Sequence, residues 1–399
     1  MSSTATRWAN PHLLRWARKR VGLSLSQVES QSKQLGKSFQ PISAQELAAC
    51  EEGSNEPLLE HLETLAELYV CPLGYFFLDE PPSQQWSVNF RGLSPGKEGK
   101  LDPLSNQTLH RFREHTQWIS HLIDSMGLDW HISIGEAHMK EAYDQVALRE
   151  RERMGFNAEI RQHWTSPSDA FQWWRHRIEN MGVFCFMMKL APGDIRGASL
   201  WEQPRTPAIL VNHEDFEAHT GRMFTLLHEY GHLILRRSGY ACDFRGSQRG
   251  QEIETYVNKF ASHVLINQEE FEAHVRQLGL WKIREKWGDS ILDEIRDPFR
   301  VSRHVVAIRL EEAGLTPQGL YWTKQKQWEK KKLFAFSRPG TKRLGGAELK
   351  LREIGFSTAK ILKYPSLERY TSLLDLSHTL NMKVDQVSKF VGWLQSYNP

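Results

Sequence analysis

The sequence predicts an α+β chain that is mainly helical, on three observations. Up to about residue 80, short stretches with helical apolar spacing alternate with Gly, Pro and Ser breaks. Between 182 and 212 come three short apolar runs bounded by Gly, Pro and Asp, which is the signature of strands. After 212 the apolar spacing is again that of helices. This order divides the chain into a helical bundle over residues 1–82, a region over 83–322 that holds a small sheet, and a helical C-terminal region over 323–399.

In the bundle, Leu13, Leu14, Trp16, Ala17 and Val21 lie on one helical face, and Gly22 ends the element. Ser24 and Ser43 are N-cap residues for the next two helices, over 25–34 and 44–52. Gly53-Ser54-Asn55 stops the third helix, residues 58–69 form a fourth, and Pro72 to Leu78 closes the group. The paired prolines Pro81 and Pro82 mark a boundary, because neither continues a helix. Residues 84–170 read as helical and polar, clearest over 108–126, with a loop at 91–97.

Strands are expected over 182–188, 195–201 and 208–212, then two long helices over 222–236 and 251–266. A short helix follows over 300–315. The tail holds a basic run, Lys324 to Lys332, and two helical segments over 347–362 and 366–393.

The composition narrows the function classes. The chain has 399 residues, 40% hydrophobic and 25% charged, as ordinary globular proteins do. A formal charge of +3 is too small to drive nucleic-acid binding by general electrostatics, so a basic surface must be local. The four cysteines (Cys50, Cys71, Cys185, Cys242) lack CxxC or CxxH spacing and read as free thiols in a reducing compartment. Residues 1–7 lack the apolar core of a signal peptide. No apolar run approaches the roughly 20 residues that span a bilayer. These features lead us to expect a cytoplasmic protein with no membrane association. The 14 tryptophans are scattered, as core and interface anchors are.

The chemistry concentrates in His228-Glu229-Tyr230-Gly231-His232. Residues four apart share one face of a helix, so both imidazoles can reach one ion. Glu229 leaves the helix in an adjacent direction and is the candidate general base. Zinc lowers the pKa of a water towards neutrality, and the carboxylate takes the proton as that water attacks a peptide carbonyl. Apolar neighbours on both sides bury this helix, and a buried helix needs a reason to carry two His and one Glu. A bare HExxH arises by chance in roughly a few per cent of chains of this length, so the third ligand matters. Glu254 supplies one from the next helix, with Asn258 four residues on to support a histidine. Glu252 competes, but it lies on another face.

With these residues on the page, the chain resembles the ImmA/IrrE family of zinc metallopeptidases, often fused behind an XRE-type helix-turn-helix. The resemblance rests on Arg196-Gly197-Ala198-Ser199-Leu200, Pro207 to Asn212, the HExxH helix from Arg222, the Glu254 to Ala261 helix, and Val301 to Leu310. At the front, Glu46 to Glu52, Pro57 and Leu58 to Ala66 look like the XRE pattern. It covers roughly residues 10–320.

The resemblance implies a gluzincin-like peptidase core with Zn2+ on His228, His232 and Glu254, and Glu229 as base. It also implies a protein substrate, such as a repressor or antitoxin-like regulator, cleaved in a stress, phage or mobile-element response. Val257 stands where the family usually has Ala. Tyr230 stands where Leu is common, and its ring is expected to line the substrate groove.

DNA is a possible partner through residues 10–70, with Gln45 on the candidate reading helix and Arg15, Arg18, Lys19 and Arg20 facing phosphates. A docking or dimerising role for this module is the competing reading. The run from Lys324, with Trp322 and Trp328, offers a second strip for phosphate and stacking contacts, or else a solvated helix face. Tyr256, His213 and His263 are candidates for oxyanion stabilisation. Residues 208–212 are expected to form an edge strand on which a substrate peptide pairs. The alternative for the whole chain is a DNA-binding or antitoxin-like regulator that uses the peptidase fold without turnover.

Overall fold

The computed structural model describes residues 9–35, 39–82, 89–91, 101–191, 193–213, 218–235, 248–282, 286–332 and 345–397. The chain divides into two compact units. The first comprises Met1–Trp86, Leu93–Arg113 and Lys189–Asp194; the second comprises Ser87–Gly92, Glu114–Met188 and Ile195–Pro399.

In the first unit, Asn10 caps α1 (Pro11–Arg20) by accepting from the His12 amide, and Pro11 suits the first helical position. Ser24 and Ser43 form capping boxes with Gln27 and Glu46, which start α2 (Leu25–Ser32) and α3 (Ala44–Glu52). Gly53 ends α3 in the left-handed region at φ 73°. α4 (Leu59–Tyr69) and a 3-10 turn over Leu73–Phe77 complete the bundle. Its core includes Leu14, Ala17, Val28, Leu47, Leu65 and Phe76.

The basic residues of α1 serve this bundle rather than standing free for phosphates. Arg18 holds the buried Glu51 through two hydrogen bonds of 2.6 and 2.7 Å. Arg20 donates to the Tyr69 and Val70 carbonyls at the end of α4, and Arg15 donates to the Glu51 carbonyl. The C-terminal carbonyls of α4 have no partner within their own helix, so a cation there is stabilising. Lys19 remains exposed, as does Gln45 on α3.

The second unit holds a strand that the sequence reading misses, β1 (Asn89–Arg91). Helix α5 (Pro103–Ser125) divides between the units at residue 113. Residues 126–142 are not helical, contrary to the expectation of helix through to 170. Their backbone instead bonds to later elements, with Ser133 donating to Met181 and Ala137 to Ile234. α6 (Tyr143–Arg153) and α7 (Pro167–Asn180) lead into β2 (Phe184–Met188), β3 (Gly197–Leu200) and β4 (Ala208–Asn212).

Then come α8 (Ala218–Ile234), α9 (Gln248–Leu265), α10 (Gln268–Gln277), α11 (Asp289–Arg296) and α12 (Arg303–Glu312). α13 (Leu320–Lys332), α14 (Gly346–Leu362), α15 (Leu373–Leu380) and α16 (Val384–Ser396) close the chain. The expected single segment over 366–393 is broken. Ser372 opens α15 with a capping box, and Asn381 ends it at φ 49°, a conformation asparagine tolerates.

The four strands form one mixed sheet in the order β1-β3-β4-β2. β2 runs parallel to β4, whereas β3 is antiparallel to β1 and β4. Every residue of β2, β3 and β4 is buried, so both faces are covered and the strands read as continuous apolar runs. β4 is a central strand. The expectation that residues 208–212 offer an edge to substrate is therefore wrong, because β3 and β2 take both of its sides.

α14 covers β2. Its helix is interrupted at Gly355 (φ 80°), where a Cβ would meet the Cys185 carbonyl oxygen at 2.5 Å and Glu179 Oε1 at 2.2 Å. Only glycine fits that approach. In the tail, Trp328 is buried with its Nε1 on Asp289 at 3.3 Å, and Lys324 Nζ donates to the same carboxylate at 2.9 Å. The expected availability of Trp328 for stacking does not hold, whereas Trp322 is exposed. Cys50, Cys71 and Cys185 are free and buried; Cys242 lies outside the described residues. Among the described residues no helix is long and apolar enough to cross a membrane.

Candidate metal centre

α8 runs through the core of the second unit, and its apolar residues explain why. Phe224, Leu226, Leu227, Leu233 and Ile234 are all buried and surround the helix on most sides. β3 passes beside it. A Cβ on Gly197 would lie 2.5 Å from Thr225 Cγ2 and 3.2 Å from Glu229 Cγ, so glycine at 197 lets the strand approach the helix at the level of Glu229. A glycine inside a strand signals such a close approach, and the signal was present in Arg196-Gly197-Ala198.

α9 lies against α8 and brings Glu254 and Asn258 to the histidines. His228 Nε2 and His232 Nε2 are 3.2 Å apart. Glu254 places Oε2 3.3 Å from His228 Nε2 and Oε1 3.3 Å from His232 Nε2. Asn258 Oδ1 is 3.0 Å from His228 Nδ1. An amide oxygen only accepts, so Nδ1 carries the proton and Nε2 turns its lone pair towards Glu254 and His232.

Burial pushes the Glu254 carboxyl up, but the His228 and His232 imidazoles outweigh it and hold the group well below the usual carboxylate range. The histidine side chains are 0% and 5% exposed and Glu254 is 45% exposed, so the cluster opens to solvent on the Glu254 side.

This donor set fits a zinc ion. Two imidazole nitrogens and a carboxylate are borderline and hard donors of the kind zinc takes in catalytic sites. A tetrahedral centre with ligand bonds of roughly 2.0–2.1 Å has edges of about 3.3 Å. The separation of the two imidazole nitrogens matches that edge, and each carboxylate oxygen of Glu254 lies at the same distance from one of them. Lone pairs converging at such distances repel one another unless a cation lies among them. Within the described residues, His228, His232 and Glu254 are the group of His, Cys, Asp or Glu so gathered. Glu252 is exposed and stands apart from it.

Glu229 is fully buried and follows His228 by one residue, turned roughly 100° around the helix. Tyr230 does not line a groove. It is fully buried, and its hydroxyl donates to Glu150 Oε2 on α6 at 2.6 Å, so the ring faces the core on the side away from solvent. Neither residue of that pair could be matched to the other from sequence, since 80 positions separate them.

The three oxyanion candidates stand in different surroundings. His263 is buried against Glu312 at 3.0 Å and beside Arg309. Tyr256 packs edge-on against Tyr143. His213 follows β4 and is exposed, its amide donating to the Met188 carbonyl.

A buried helix bearing HExxH, packed between a small mixed sheet and a second helix that returns a carboxylate, is the kind of arrangement that metallopeptidases use. More particularly, residues 178–311 match the M78 peptidase family model, described as the IrrE N-terminal-like domain. The matched stretch runs from the last turn of α7 into α12 and takes in β2, β3, β4, α8 and α9. It is similar to a metallopeptidase domain of the ImmA/IrrE type. No curated protein and no solved structure gives a match.

Proposed function

We propose that the protein is a zinc-dependent endopeptidase that cleaves a regulatory protein. The observation that carries this reading is the triangle of His228, His232 and Glu254, with Glu229 on the next residue of the same buried helix. When bound, zinc supplies a Lewis acid and lowers the pKa of a water towards neutrality. Asn258 holds His228 in the tautomer that presents Nε2. Glu229 takes the proton released as water attacks the peptide carbonyl, and returns it to the leaving amine. The half-exposed Glu254 side of the cluster is where a polypeptide can enter.

The substrate class, a repressor or antitoxin-like regulator in a stress, phage or mobile-element response, follows from the resemblance to the ImmA/IrrE family. The buried free thiols of Cys50, Cys71 and Cys185 support a reducing, cytoplasmic location. The alternative is a regulator that binds DNA or protein through residues 10–70 without turnover, the bundle then being an XRE-like module. A scaffold of that kind needs the ligands but not Glu229. The internal use of Arg15, Arg18 and Arg20 also leaves the bundle few cations for phosphate.

Elemental analysis separates the readings. Wild type should hold about one zinc per chain, and Glu254→Ala should lose most of it. Glu229→Gln should keep the metal and serve as a trap for the substrate. Wild type that takes up no zinc on reconstitution sinks the peptidase reading.

A further inference from the structure

The sheet has two outer edges, and they are closed in different ways. The free edge of β2 is sealed by helices of the core. The Arg175 guanidinium donates to the Cys185 carbonyl, Ser357 Oγ donates to the Val183 carbonyl at 2.9 Å, and Gly355 sits against Cys185. Among the described residues, the outer edge of β3 is closed by the backbone of β1, three residues in antiparallel register: Asn89 opposite Ser199, Phe90 opposite Ala198, Arg91 opposite Gly197. Three residues are at the short limit for a strand, so this pairing is the weaker closure.

Position gives the β3 edge its meaning. Gly197 is the residue that lies against Glu229, and β1 places the Arg91 backbone directly across from it, one strand spacing away (about 4.8 Å). An extended peptide pairing with that edge would take the same hydrogen bonds from β3 whatever its side chains, and would run past the candidate base. β4 has no edge to offer, and β2 has none open.

We propose that β1 is a resident strand on the substrate edge, and that an extended segment of a protein substrate binds by replacing Asn89–Arg91 on β3. This rests on the peptidase reading for its purpose but not for its geometry. In the sequence, both ends of β1 lead into stretches of the first unit, Met1–Trp86 and Leu93–Arg113. Only the fraction of molecules with β1 displaced is competent, and the apparent affinity for a peptide is lowered by that fraction.

The probe is a fluorescein-labelled peptide with the sequence of residues 87–93, titrated by anisotropy into the zinc-loaded Glu229→Gln protein. Arg91→Pro in that background removes an amide that faces β3 opposite Gly197 and breaks the β1 pairing. It should bind the peptide ~10-fold or more tightly than Glu229→Gln alone, and Arg91→Val, which keeps a strand former, should not. A second variant covers any folding defect: Asn89→Cys with Ser199→Cys are directly opposed and can bridge. Oxidised, this staple should abolish peptide binding; reduced, it should restore the binding of Glu229→Gln alone.

Equal binding by Glu229→Gln and a folded Arg91→Pro variant overturns the proposal, as does undiminished binding by the oxidised staple. Turnover of labelled casein, with Glu229 intact, is the separate arm. If peptide binding follows the prediction while no variant cleaves casein or the peptide, strand exchange stands and the peptidase reading fails.

Discussion

At the scale of single residues, the metal cluster depends on where protons sit. Asn258 accepts the Nδ1 proton of His228 and thereby aims the Nε2 lone pair at Glu254 and His232. Losing such a partner typically costs ~10–100-fold in metal affinity. We therefore expect Asn258→Ala to weaken zinc binding by about that factor in competition with a chelating dye, and Asn258→Asp to recover much of it. Unchanged affinity in Asn258→Ala would remove this residue from the site. The local part of this arrangement was legible in the sequence, because i and i+4 spacing on a helix is set by covalent geometry. Both His228 with His232 and Glu254 with Asn258 are pairs of that kind. The environment of Tyr230 was not legible. What the Tyr230 hydroxyl meets depends on Glu150, 80 residues earlier, and nothing in the pentapeptide encodes that partner.

At the scale of elements, the joint between α7, β2 and α14 carries a titratable group that helices alone would not need. Glu179 is fully buried; its Oε1 accepts from the Phe356 amide at 2.9 Å, and its Oε2 has no hydrogen-bond partner. Burial pushes its carboxyl up to about 7, against the opposing pull of Arg175. Below the unfolded value near 4.5, both folded and unfolded chains hold the proton. Between there and about 7 the folded chain holds it and the unfolded chain has released it. Stability from this group is therefore complete at low pH and is lost as pH rises through about 7.

Urea unfolding of the second unit should show a loss on the order of 2–3 kcal/mol across that window, and Glu179→Gln should flatten it. A wild-type slope that persists in the variant would place the titration elsewhere. The sequence marked α14 as a helix but not its break at Gly355, since that break exists to fit β2 and Glu179, both distant in the chain. β1 was missed for a related reason: three residues are too few for an alternating pattern to register, and only the partner β3 makes them a strand.

At the scale of the whole molecule, the described residues include two hydrophobic cores, one built from residues of the first unit and one from residues of the second. The metal cluster belongs wholly to the second, since His228, His232 and Glu254 all lie between Ile195 and Pro399. A ligand that binds only the folded form stabilises whatever must fold to make its site, by ~2.7 kcal/mol when its free concentration is a hundred times Kd. Zinc should therefore raise the melting of the second core and leave the first unmoved. Differential scanning calorimetry of the full chain, with zinc and after chelation, tests this directly. The expected record is two transitions, of which chelation lowers one by several degrees. His228→Ala should reproduce the chelated record without any chelator, because it removes a ligand from the cluster itself. If chelation shifted both transitions equally, folding of the α1–α4 bundle would be coupled to the metal, and the bundle could not be treated as an independent module in front of a peptidase.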